Sequence, residues 1–204
     1  MTVCYRLILL SIALTLSMYL KGGERMMKEP QAVLDFWFKE LKPAQWYEKS
    51  PALDQQIVER FGDLHTMAVA GELFHWRTTP EGRVAELIIL DQFSRNMFRD
   101  SPESFAYDGI ALVLAQEAVR AGSLDHLGEF QQNLILMPYM HSESRIVHGE
   151  AVRLRKQYGL DLHWEQKHKE IIDRFGRYPH RNDILGRTST AEELEFLKQP
   201  GSSF

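Results

Sequence analysis

The chain has 204 residues, 44% apolar and 25% charged, with 24 basic against 28 acidic side chains. This is too apolar for a disordered segment and too charged for a polytopic membrane protein, and a net charge of −4 does not suit a protein that coats nucleic acid. The single cysteine, Cys4, excludes a disulfide scaffold and any cysteine-built zinc or iron–sulfur centre.

Residues 1–25 stand apart as an apolar N-terminal extension. From Val3 to Leu20 only Arg6 interrupts the run, and Leu7–Leu20 has the composition of a signal peptide or a short membrane anchor. The run gives way to Lys21-Gly22-Gly23-Glu24-Arg25, with no small-x-small cleavage site. Codons for Gly-Gly-Glu can be purine-rich enough to form a ribosome-binding site just ahead of Met26 and Met27. A start at Met26 or Met27, giving a cytoplasmic protein, is therefore expected; a membrane partner enters only if Leu7–Leu20 is retained. Residues 26–204 read as one helical domain, with no thiol and a net charge of −6.

Helical spacing recurs throughout that domain, and no period-two alternation with hairpin turns is present. Gln31–Leu41 carries Val33, Leu34, Trp37, Phe38 and Leu41 on one face. Ser50-Pro51, Thr79-Pro80 and Ser101-Pro102 each supply an N-cap followed by a proline at the first helical position. They predict helices ending near Gly71, after Leu90 and at Gly122. An apolar stretch then leads to Met137 and a predicted break at Pro138. Further helices are expected from about Glu143 to Tyr158, from Leu162 to Phe175, and from Thr190, where Glu193 completes a capping box. About eight helices with short links make an all-α chain of antiparallel pairs, a bundle or short solenoid.

Three stretches place polar residues where helix periodicity calls for core. In the first, the stripe Val84, Ile88 continues to Asp91 and Arg95, an acid and a base four residues apart, flanked by Gln92 and Asn96. They read either as a structural ion pair or as a site in which Arg95 holds an anion that Asp91 orients. The second is Tyr139-Met140-His141-Ser142-Glu143, where His141 and Glu143 form a candidate acid–base pair or two metal ligands. Capping alone accounts for Ser142 and Glu143, but not for His141. In the third, His168 shares an apolar face with Trp164, Ile171, Ile172 and Phe175, and reads as a buried histidine. Beyond Gly176, the loop holding Arg177, His180, Arg181, Asn182 and Arg187 is rich in groups that grip carboxylate or phosphate.

These stretches, from Asp91 through Arg99, from Tyr139 to Glu143, and from His168 through Arg177-Tyr178-Pro179-His180-Arg181-Asn182 to Leu185-Gly186-Arg187, resemble the bacterial family called domain of unknown function 924. The resemblance runs from about Val33 to Leu197 and implies an all-α, tetratricopeptide-like fold, without an activity. Two departures stand out. Ser94 occupies a position where the family's proline is expected, and His148 stands where other polar residues are usual, so His148 is left out of the site.

The preferred reading is a helical binding module. Asp91, Gln92, Arg95, Asn96, His168, Arg177, Arg181, Asn182 and Arg187 surround a mostly cationic pocket for a small anionic ligand or an acidic peptide, with no nucleic-acid partner. The alternative is a hydrolase or lyase using His141 or His180 as acid–base and Glu143 as the orienting carboxylate, while a third reading makes the whole cluster structural. No cofactor is predicted. A metal has only the His141/Glu143 pair and the two Glu-x-x-His spacings, Glu72/His75 and Glu165/His168, in its favour, and the latter set lacks the further carboxylates a di-iron site needs.

Overall fold

Side-chain caps and π-helical turns shape the fold of the computed structural model, which describes residues 30–46 and 48–203. The apolar run and the alternative starts of residues 1–25 lie outside the described residues. Among the described residues there is no β-strand, and no helix is long and apolar enough to cross a membrane. The all-helical reading holds. The chain divides after Glu48 into two compact units.

In the first unit, residues 30–35 are α-helical and run directly into a π-helical turn, Phe36–Glu40. Val33, Phe36 and Trp37 are buried. Trp46 stacks on Trp37 with ring centroids 5.7 Å apart and an interplanar angle of 7°, and its indole N–H donates to the Trp37 carbonyl at 2.9 Å.

The second unit opens with α1 (Pro51–Val69), whose Leu53, Ile57, Phe61, His65 and Ala68 fall on one buried face. Ser50 caps it as expected, its hydroxyl accepting from the Leu53 N–H at 3.4 Å. Thr79 caps α2 (Pro80–Leu87) by accepting from the Gly82 N–H at 3.1 Å. Gly82 has no substitute there, since a Cβ would stand 2.0 Å from the Trp76 carbonyl oxygen. Without a break in helical backbone, α2 passes into a π-helical turn, Ile88–Phe93, and then into α3 (Ser94–Met97). Every residue of that π turn is buried, and it packs against α1, α4 (Asp108–Arg120) and α5 (Glu129–Met140). It is the centre of the unit.

Two expected boundaries move. Ser101-Pro102 opens only a short 3-10 turn, Pro102–Phe105, and α4 starts at Asp108. The Ser101 hydroxyl is spent on Glu103 at 2.5 Å rather than on a cap, and the Ser104 hydroxyl takes the Ser101 carbonyl at 2.7 Å. Pro138 does not break the chain; α5 runs through it to Met140. The helix keeps its course past the proline, and the His141 N–H closes the end on the Met137 carbonyl at 3.0 Å. Ser144, not Ser142, then caps α6 (Arg145–Tyr158), accepting from the Val147 N–H at 3.4 Å.

After Gly159 comes α7 (His163–Phe175), then a 3-10 turn, Pro179–Arg181, and α8 (Ala191–Leu197) with the expected Thr190/Glu193 capping box at 3.2 and 2.7 Å. Consecutive pairs α4–α5, α5–α6 and α6–α7 pack together. Links as short as residues 141–144 and 159–162 force antiparallel neighbours.

Candidate functional site

The first and second polar stretches meet at Asp91 and His141. The π turn inserts Asp91 into the interior, where it is 2% exposed, and the end of α5 brings up His141. His141 Nδ1 donates to Asp91 Oδ1 at 2.7 Å, and Gln92 Nε2 donates to Asp91 Oδ2 at 2.5 Å. Burial opposes the charge on Asp91, yet His141, Arg95 and these hydrogen bonds outweigh it and hold the carboxyl well below the usual range. For His141, burial and the Arg95 guanidinium push the pKa below the ordinary value, and Asp91 only partly opposes them. The imidazole is therefore neutral near pH 7, with its proton on Nδ1 and a lone pair on Nε2. The partner that orients His141 is Asp91, not Glu143.

Asp108 at the start of α4 joins the third stretch to the first. Arg95 NH2 lies 3.0 Å from Asp108 Oδ1, and Arg181 NH1 donates to Oδ2 at 3.1 Å. Arg181 also donates to the His141 carbonyl at 3.1 Å, and its guanidinium lies 4.5 Å from the Phe105 ring centre and 4.7 Å from that of Tyr178. Glu143 accepts from the Tyr178 N–H at 2.7 Å and from Arg187 at 2.7 and 3.0 Å. Burial disfavours its charge, but the Arg187 and Tyr178 hydrogen bonds hold its carboxyl below the ordinary value.

Between these groups lies a cavity of about 300 Å³. Pro102, Phe105, Leu112 and Leu185 give it an apolar wall, and Asp108, His141, Ser142, Glu143 and Arg181 a polar edge. The mostly cationic pocket expected from the loop is not what forms: Arg181 reaches the lining, paired with Asp108, while Arg187 is held by Glu143 and Arg95 by Asp91 and Asp108.

The remaining expected site residues go elsewhere. Asn96 donates to Asp54 on α1 at 2.8 Å, beside the bidentate Arg99–Asp54 pair. Arg177 grips Glu193 and so fastens α8, at 2.6 and 2.8 Å. Asn182, 1% exposed, donates to the Ser189 hydroxyl at 3.0 Å. His168 is buried and donates to the Trp164 carbonyl at 2.8 Å. The ring of His180 packs on Tyr178 at 5.6 Å. None of these five lines the cavity.

Two residues outside the expected set complete the core behind it. His148 and Glu165, each with a fully buried side chain, face one another at 2.6 Å. His148 Nε2 lies 2.9 Å from the Ser142 carbonyl, so both ring nitrogens are engaged. Glu165 is thereby engaged in a hydrogen bond rather than available to iron, and among the described residues no three His, Cys, Asp or Glu side chains are placed to hold a metal ion.

Burial also makes the unit acid-sensitive. Desolvation pushes the pKa of His168 down to about 3 and that of His180 down to about 4, from an ordinary 6.5. The unfolded chain thus takes up these protons before the folded one does. The histidines' contribution is complete above pH 6.5 and is lost on acidification towards 4 for His180 and 3 for His168. Urea midpoints are expected to fall between pH 7.5 and pH 5, with a slope of at most about 1.4 kcal/mol per pH unit for each histidine. A flat profile contradicts their burial in the neutral form.

A profile of bacterial proteins of unknown function, DUF924, matches residues 33–201. A solved structure of a protein of unknown function from Agrobacterium tumefaciens is similar at 35% identity and a TM-score of 0.77, covering 83% of this chain and 96% of that one. No curated protein matches the chain.

Proposed function

The chain belongs to the DUF924 family of bacterial proteins of unknown function, and from that premise we propose that it binds a small molecule carrying a carboxylate or phosphate in the cavity beside His141. The observation that carries this reading is the cavity itself, with its two unlike sides. An apolar wall around Phe105 and Leu112 suits a hydrocarbon body, while Arg181 and His141 suit an anionic end. A volume of about 300 Å³ favours a metabolite-sized molecule over a length of acidic peptide.

Gly109 provides the test. It lines the cavity from α4, and a Cβ built there meets no atom within 4 Å. Gly109→Leu is expected to fill the cavity while leaving the melting temperature unchanged or raised, since leucine is the better helix former. Benzoate, malonate and inorganic phosphate, titrated by calorimetry, provide the probes. At least one should bind the wild type in the millimolar range or better and fail to bind the variant. Equal binding to both chains rejects the cavity as the site.

A second reading, an acid–base enzyme, is favoured by one specific observation, the 2.7 Å contact of His141 Nδ1 with a buried carboxylate. That pairing orients Nε2 as a proton acceptor towards whatever the cavity holds. Turnover of a bound ligand that His141→Gln abolishes, with binding retained, would favour this reading over a simple binding module.

A further inference from the structure

We propose that an anionic ligand enters this cavity together with one proton, which His141 takes up on Nε2. This rests on the binding reading above and concerns how the same site is regulated. Asp108, Glu143 and Arg181 line the cavity, and ion pairs tie them and Asp91, the partner of His141, to Arg95 and Arg187. They are paired at 3.4 Å for Asp91–Arg95, 3.0 Å for Asp108–Arg95, 3.1 Å for Asp108–Arg181 and 2.7 Å for Glu143–Arg187. The charges of this network cancel, and the lining itself sets Asp108 and Glu143 against Arg181, so with His141 neutral the cavity has no net attraction for an anion.

His141 is the cavity-lining group able to change that balance near neutral pH. The groups facing it are Asp91 and Arg95 from the π turn and α3, Asp108 from α4, and Arg181 from the 3-10 turn, which donates to its carbonyl. Glu143 lies two residues on in the same link, bound to Arg187, while His168 on α7 and His180 beyond it are held neutral by burial. On α6, His148 is turned to Glu165 at 2.6 Å. Without a ligand, burial and Arg95 keep the imidazole neutral. A carboxylate or phosphate oxygen at Nε2 reverses this: a proton from solvent forms the Nε2–H bond, that N–H donates to the anionic oxygen, and Asp91 at 2.7 Å stabilises the imidazolium from the other side. Asp91 keeps its negative charge throughout. The ligand class is a monoanion, one charge balanced by one proton.

Calorimetric titration of benzoate at pH 7.5, in buffers of different ionisation enthalpy, counts the protons directly. About one proton per benzoate is expected, with Kd rising towards tenfold per pH unit from pH 6.5 to 8.5. In His141→Gln, binding should weaken, take up no proton and lose its pH dependence. The wild-type proton count is decisive even if that variant does not fold. Binding to the wild type with no proton uptake overturns the coupling while sparing the pocket. Binding unaffected by Gly109→Leu places benzoate elsewhere and overturns both, as does no binding at all across benzoate, malonate and phosphate.

Discussion

Glu165→Ala is expected to destabilise the fold by about 3–5 kcal/mol, the range for removing one partner of a buried charge pair. Its carboxylate is fully buried, 2.6 Å from His148 Nδ1 and 3.8 Å from Arg155, which is itself 4% exposed. The alanine leaves a ring nitrogen and a guanidinium in the interior without that counter-charge. At roughly 2–4 °C per kcal/mol for a chain of this size, the melting temperature should fall by on the order of 10 °C. Glu165→Gln, which keeps an oxygen opposite Nδ1, should lose less. A melting curve for Glu165→Ala within about 2 °C of wild type would show that the buried pair is not what holds α6 to α7.

Arg181→Ala is expected to cost a similar amount, about 3–5 kcal/mol, although Arg181 also lines the cavity. One guanidinium serves Asp108, the His141 carbonyl and two aromatic faces, so its removal loosens α4, the α5–α6 link and the 3-10 turn together. Arg181→Lys retains the charge without the planar fork and should recover only part of the loss. Loss of binding in these variants therefore says little about recognition, which is why the cavity is better probed from Gly109, where a side chain enters open space. If Arg181→Ala keeps wild-type stability in thermal denaturation and loses only ligand binding, the residue belongs to the site and not to the scaffold.

The contrast between Arg177 and Arg181 shows where reading the chain stops short. Both lie in one loop and both carry the same fork, yet Arg177 fastens α8 through Glu193 while Arg181 reaches the cavity. Nothing in the neighbouring sequence separates them. The same holds for Asn96, whose amide turns to Asp54 across 42 positions of chain. Asp108 escapes notice in the sequence because an acid in the first turn of a helix is adequately explained by the helix dipole. His148 and Glu165, 17 positions apart on different helices, become partners only when α6 and α7 pack.

Local signals were sufficient for most of the helices, the Ser101-Pro102 start and the Pro138 break excepted. Caps at Ser50, Thr79 and Thr190, the left-handed glycines Gly122, Gly159 and Gly176, and the apolar spacing between them act within one or two turns of chain, so the sequence by itself determines an all-helical protein. It also marks the three polar stretches that the fold brings together. Tertiary structure alone decided that a π turn would carry Asp91 inwards to meet His141 across 50 positions, and that Arg181 and Arg187 would each find a carboxylate. The physical reason is range. Capping and helical periodicity are settled between near neighbours, whereas charge pairing in a low-dielectric interior depends on which distant segments arrive at the same place.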